Sequence, residues 1–104
     1  MKIFILPSAQ DDLAAGFRFY ERQQEGLGGY FLESLFSDID SLRLYAGVHQ
    51  KVFGYHRLLS KRFPCAIYYS EEQEKVLVWA VLDCRRDPGW NRRELRAAGK
   101  NPER

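Results

Sequence analysis

The chain is poor in the residues that build metal and redox sites. Two cysteines and two histidines are all that its 104 residues hold. Neither His49 nor His56 shares a tight spacing with cysteine or with paired carboxylates, so no metal site is apparent. No phosphate loop, dinucleotide fingerprint or Gly-x-Ser-x-Gly elbow occurs, which removes the commonest nucleotide, cofactor and serine-hydrolase chemistries. No cofactor is expected. The longest apolar run, Val76 to Leu82, is far too short to cross a bilayer. The opening Ile3-Phe4-Ile5-Leu6 is too short for a signal segment and is stopped by Pro7. The expected compartment is the cytoplasm, with no membrane partner. Repeats and low-complexity tracts are absent, and the length fits one domain, taken as residues 1–98 with a flexible tail at 99–104.

What the chain has in quantity is aromatic side chains and, in its second half, positive charge. Seven Phe, six Tyr and two Trp exceed what so small a core needs, which leaves some for an interface. Residues 1–50 hold four basic and seven acidic side chains, and residues 51–104 hold twelve and seven, so the halves carry −3 and +5. A basic second half suits nucleic acid, a ribosome or an acidic protein partner. A merely solvated surface is the plainer account of the same charge.

The order of elements reads α+β: a mainly antiparallel four-stranded sheet with an N-terminal antiparallel helical hairpin on one face, β-α-α-β-β-β. Lys2–Leu6 is a short strand. Ser8, followed three residues later by Asp11, resembles a capping box. The helix that follows puts Ala9, Leu13, Phe17 and Tyr20 on one face, with Arg18, Glu21 and Arg22 outward. The glycines at 26, 28 and 29 make a turn to a second helix, about 29–45, striped by Phe31, Leu35, Ile39 and Leu42. Val52–Leu59 reads as one strand, with Tyr55, Arg57 and Leu59 on one face and His56 and Leu58 on the other. Asp87-Pro88 looks like the N-cap and first turn of a short C-terminal helix, Trp90 to Ala98.

Lys61 to Trp90 is the most informative stretch. Two apolar strands flank an acidic turn (Glu71-Glu72-Gln73-Glu74), and the second ends in Asp83-Cys84-Arg85-Arg86-Asp87-Pro88. With the turn centred on Glu72-Gln73, Cys84 falls opposite Lys61. That is about 13 Å along the strand from Cys65, so two free thiols are expected. Paired arginines at a strand end present fixed charge at the rim of a sheet. Arginine forks suit carboxylate or phosphate, and a nearby Trp adds a large rigid contact. The candidate binding set is therefore Arg57, Lys61, Arg62, Arg85, Arg86 and Trp90. Its structural alternative pairs Arg85 or Arg86 with Asp83 or Asp87 and lays Trp90 over the end of the sheet.

"RFPCAIYY", the acidic hairpin, "VLVWAVLDCRRDP" and the following Trp resemble the C-terminal half of RelE/ParE-type toxins of type II toxin–antitoxin pairs, the plasmid stabilisation family. The first half agrees with that layout, and the resemblance covers residues 2–96. It implies a growth-inhibiting bacterial toxin neutralised by a cognate antitoxin protein. That antitoxin is expected to lie as an extended or helical segment across the helical hairpin and the sheet.

The resemblance leaves the target open between DNA gyrase and the ribosome. Metal-free RNA cleavage needs a base, an acid and cations for the phosphorus charge; His56, Arg57 and Arg85 form the one set that could supply them. In the ribosome-dependent ribonuclease branch, lysines stand where this chain has His56 and Leu58. Arginines stand at Cys65 and Cys84, and a tyrosine stands at Trp90, which can stack but cannot transfer a proton. The sequence thus looks closer to the ParE branch, which acts by binding and poisoning DNA gyrase. A ribosome-dependent mRNA endonuclease and an inert relative that retains only antitoxin binding are the alternatives.

Overall fold

The computed structural model describes residues 1–99. A short strand, β1 (Lys2–Ile5), leads into α1 (Pro7–Gln23), α2 (Leu27–Asp40) and one further turn, α3 (Leu42–Tyr45). Then follow β2 (Lys51–Val52), β3 (Tyr55–Leu59), β4 (Cys65–Glu72), β5 (Lys75–Asp83) and α4 (Pro88–Gly99). The strands form one sheet in the order β1-β5-β4-β3-β2, in which β1 runs parallel to β5 and every other pair is antiparallel. The α+β class and the helical hairpin are as read from the sequence. Of the expected tail, Gly99 closes α4, and residues 100–104 lie outside the described residues.

The sheet has five strands rather than four. The expected strand Val52–Leu59 is folded back on itself at Phe53-Gly54, both with positive φ (56° and 87°), so that Val52 faces Tyr55. Two consecutive left-handed residues are the mark of a tight two-residue hairpin. Phe is an unusual occupant of such a position, and this hid the turn from a sequence reading. The expected second helix is likewise interrupted. Ser41 bonds Asp38 O through its hydroxyl (2.6 Å), and its N–H is shared between Ser37 O and Ile39 O, so α2 ends and α3 begins there.

The sheet has a core on each face. Against α1 and α2 lie Ala9, Leu13, Phe31, Leu35, Ile39 and Leu42 with Ile67, Tyr69, Val76, Val78 and Val81; against α4 lie Ala66, Tyr68, Ala80, Leu82 and Leu95. Phe63, in the β3–β4 turn, seals one end of the first core against Tyr20 (4.8 Å between centroids), Phe31 (5.2 Å) and Tyr30 (5.5 Å). β5, apolar on both sides, is an interior strand as its composition indicated.

Period-two alternation would put Val76, Val78, Ala80 and Leu82 on one face. A bulge prevents it: Tyr68 pairs with Ala80 but Tyr69 pairs with Val78, leaving Trp79 as the extra residue. Val78 and Val81 therefore face the helical hairpin, and Ala80 and Leu82 face α4. The β4–β5 turn sits at Gln73-Glu74, one residue beyond the expected centre. Together these shifts bring Cys65 opposite Asp83 and set the Cys84 N–H on Pro64 O (2.8 Å), so the expected separation of the cysteines along the strands is wrong. Both thiols are nonetheless free, because Cys65 lies in the first core and Cys84 lines a cleft on the other face.

The start of α1 departs from the capping box. The N-cap is Leu6, in extended conformation with no side-chain cap, and Pro7 opens the helix. The Ser8 hydroxyl instead donates to Trp79 O (2.6 Å) at the bulge. Glu21, expected to point outward, folds over the α1–α2 turn and accepts the N–H groups of Gly26 and Gly28, each at 2.9 Å.

The two helices approach so closely at Gly28 that a Cβ there would stand 2.8 Å from the carbonyl oxygen of Phe17, a backbone atom that cannot swing aside. At Gly29 the same atom would meet open space. Alanine gains up to about 1 kcal/mol over glycine in a helix, whereas overpacking costs about 1–3 kcal/mol. Gly28→Ala should therefore lose roughly 1–2 kcal/mol of stability and Gly29→Ala should gain a few tenths or more, as measured by urea unfolding.

Candidate binding site at the end of β5

β1 is shorter than β5. Leu6 N–H bonds Val78 O (3.0 Å), and beyond that point β5 has no strand on this side. Side chains from the first turns of α1 replace it: Ser8 takes Trp79 O, and the Asp12 carboxylate accepts the Val81 N–H at 2.9 Å. Asp12 is half-buried. Its pKa is pushed up to about 7, chiefly by burial, with Glu94 and Asp11 adding and the Val81 N–H opposing. Past this anchor, α1, the end of β5 and the start of α4 enclose a cleft of about 460 Å³.

Four arginines (Arg18, Arg22, Arg85, Arg86) line this cleft against two aspartates, Asp12 and Asp83, with Phe19, Tyr20 and Trp90 as apolar wall. The paired arginines of the strand end divide their work. Arg85 closes a fork on Asp83, Nε to Oδ1 at 3.0 Å and Nη2 to Oδ2 at 2.8 Å, while its N–H also reaches Oδ1 (2.8 Å). These bonds hold the Asp83 carboxyl below its usual range against the opposing effect of burial, and keep Arg85 firmly charged. Arg86 lies over the Trp90 ring, 4.6 Å from its centroid, and bonds no carboxylate among the described residues. Cys65, deeper in the cleft, is pushed up to about 12 by burial and by neighbouring Asp83 and Cys84, so it is a thiol and no nucleophile at neutral pH.

The other sequence candidates are scattered. Lys61 and Arg62 are exposed in the β3–β4 turn, which Asp38 of α2 fastens by accepting the Ser60 hydroxyl (2.7 Å) and the Lys61 N–H (3.4 Å). His56 and Arg57 are strand neighbours and so face opposite ways. His56 pairs with Tyr69 and stacks on its ring (5.1 Å, 23°), and its Nδ1 donates to His49 O at 2.7 Å. Arg57 pairs with Tyr68 on the α4 face. Tyr69 accepts the Gly47 N–H (2.9 Å) and its hydroxyl meets His49 Nδ1 (2.6 Å); burial and nearby His56 lower the His49 pKa. His56 thus stands apart from the arginines: it bonds the loop before β2 and stacks on Tyr69, whereas Arg57 and Arg85 both come near Cys84 at the end of β5.

Sequence reasoning missed Asp12, Tyr68 and Asn91. Asp12 had a legible signal. Ser8 and Asp12 lie one helical turn apart beside the Ala9–Leu13 stripe, polar groups where a plain amphipathic helix would have no use for them.

No protein-family profile and no curated protein matches the sequence. The fold itself, a helical hairpin on a small sheet with β1 returned beside β5, is found among solved structures. One is a chain of the chromosomal ParDE TA system from P. aeruginosa, with a TM-score of 0.72 and 15% identity over 80% of this chain and 95% of that chain. At that identity the likeness is one of fold. Among the described residues no helix is long and apolar enough to cross a membrane.

The Asp12 carboxyl gives a signed pH prediction. Its folded pKa lies above its unfolded value of 3.8, so between about pH 4 and about pH 7 the folded state holds the extra proton and stability falls as pH rises. Asp12→Asn keeps an acceptor for Val81 N–H and removes the titration. The variant should have a flatter melting profile across that window and melt above the parent at about pH 8; an unchanged pH profile would show that Asp12 titrates normally.

Proposed function

We propose that this chain is the toxin of a type II toxin–antitoxin pair of the RelE/ParE type, that it arrests growth by binding DNA gyrase, and that a separate antitoxin neutralises it. The fold likeness to a ParDE chain and the strand-end motif ahead of Trp90 support the toxin reading. The observation that carries binding over catalysis is the separation of His56 from Arg57 and Arg85. A metal-free ribonuclease needs base, acid and cations around one phosphate, and losing one such group costs on the order of a hundredfold in rate. A binding protein needs only a rigid charged rim, and Arg86 laid on Trp90 at the end of β5 is one.

The antitoxin has apolar surface to cover. Phe19, Tyr30, Phe36 and Leu44 on the helices are all more than two-fifths exposed, Leu44 by 82%, which is a heavy apolar load for an unpartnered helical surface. An acidic segment lying there would also meet Arg18 and Arg22 of the cleft. The ribosome-dependent endonuclease remains the second reading, kept by the cation-rich second half and by the shared fold of the two branches.

Induction of the chain alone should stop bacterial growth, with loss of DNA supercoiling preceding loss of translation, and co-expression of the neighbouring antitoxin gene should restore growth. Arg86→Ala and Trp90→Ala should each weaken toxicity by about tenfold or more, while Arg43→Ala on α3 leaves it unchanged. Codon-phased mRNA cuts within minutes of induction, found by primer extension and abolished by His56→Ala, would replace gyrase with the ribosome.

A further inference from the structure

On the α4 face a second cleft, about 470 Å³, opens between the β2–β3 hairpin, the middle of β4 and the first turn of α4. Asn91 is only 7% exposed, and its Oδ1 is buried with no hydrogen-bond partner. Buried carbonyls are nearly always paired, so an orphan on a residue that lines a cleft is an acceptor that a turn of its side chain would offer to a donor. Arg57 and Asn91 stand beside the Tyr68 hydroxyl, and both oppose the rise of its pKa. The phenol has its own O–H to give. Burial, the largest influence on Tyr68, raises its pKa and keeps that proton in place at neutral pH.

Arg57 and Arg86 add cationic donors, and no Asp or Glu lines the space. Val52, Leu59 and Phe53 supply an apolar wall, Leu59 being 53% exposed. Phe53 is held there by a backbone φ of 56°, a conformation that a bulky residue adopts only where its surroundings enforce it. The cleft therefore asks for an anionic acceptor, one N–H donor and an aliphatic group at once. A nucleotide could meet the first two demands, but a base needs a free aromatic face on which to stack. Of the two rings that line this cleft, Tyr68 is buried in the core and Phe53 has the Arg92 guanidinium near it at 5.8 Å. A peptide supplies a backbone N–H, a carboxylate and an aliphatic side chain within two residues.

We propose that this cleft binds an acidic, aliphatic peptide segment of a protein partner, with a carboxylate on Arg57 and Arg86, a backbone N–H on Asn91 Oδ1 and a Leu-like side chain against Leu59 and Phe53. The site lies on the opposite face from the helical hairpin, and the inference holds whether or not the chain is a growth inhibitor.

The test is a two-dimensional NMR titration of the ¹⁵N-labelled full chain with acetyl-Leu-Glu-Leu-Glu-amide. The side-chain amide of Asn91 and the Nε–H of Arg57 should shift with a dissociation constant of about a millimolar. Arg57→Met should weaken binding by about tenfold, as should the peptide with Gln in place of Glu. Tyr68→Phe, which keeps the ring in the core, should weaken it with the melting temperature monitored as a control on folding. The proposal is overturned if those resonances stay still at ~20 mM peptide. It is equally overturned if adenosine monophosphate or inorganic phosphate moves them as strongly, since the cleft would then be a nucleotide site or a simple anion site.

Discussion

Everything at the arginine-lined end of the molecule depends on how α1 holds the unpaired edge of β5. The strand runs on past β1, and an exposed row of peptide groups there would invite edge pairing with another chain. Two helical side chains, Ser8 and Asp12, bond Trp79 O and Val81 N–H in place of a missing strand. Each bond contributes on the order of 1 kcal/mol net, but leaving either group buried and unpaired costs more than the bond gains. The arrangement works only because the bulge at Trp79 turns Val81 toward the helices and Ala80 toward α4, so one strand serves two cores. Asp83, Arg85 and Arg86 follow directly from that strand, and their placement inherits its rigidity.

The paired arginines are equivalent as letters and different as groups. Arg85 is turned back on Asp83, two residues earlier, and both of its fork bonds are local. Arg86 spreads over an indole and faces both clefts. Local pairing at a strand end costs little entropy, since the backbone already fixes both partners; stacking on Trp90 holds Arg86 without neutralising it. A strand end built this way ties one guanidinium to a neighbouring carboxylate and leaves the other stacked on an indole between two clefts.

Much of the fold was legible in the sequence because its signals are redundant. The apolar stripes of α1 and α2, the glycine turn between them and Asp87-Pro88 ahead of α4 each follow from local chemistry, and each appears where expected. What escaped lacked a local signature. Phe53-Gly54 and Gln73-Glu74 make left-handed turns without the Asn-Gly or Asp-Gly pair that announces them. The bulge at Trp79 leaves no mark in an all-apolar strand, and it moved the cysteines from their expected register. In the site, Arg86 and Trp90 were legible from their adjacency to a strand end. Asn91 was not, because its orphan carbonyl exists only once α4 packs on β4. His56 illustrates the converse: its residue type invited a chemical role, and its neighbours, the His49 carbonyl and the Tyr69 ring, occupy it structurally.

The parallel pairing of β1 with β5 has a consequence in time. Lys2–Ile5 meets Lys75–Val78, so β1 waits for β5, the last strand of this sheet, before it has a partner. Until then the helical hairpin can form but the sheet beneath it cannot close, and contacts of such long separation in sequence are the slow ones. The Ser8 and Asp12 bonds to β5, the arginine pair and both clefts come into being at that same late step. A nascent chain therefore carries neither cleft until β5 has been made. Any protein that captured the helical hairpin beforehand would do so before there was an end of β5 to guard.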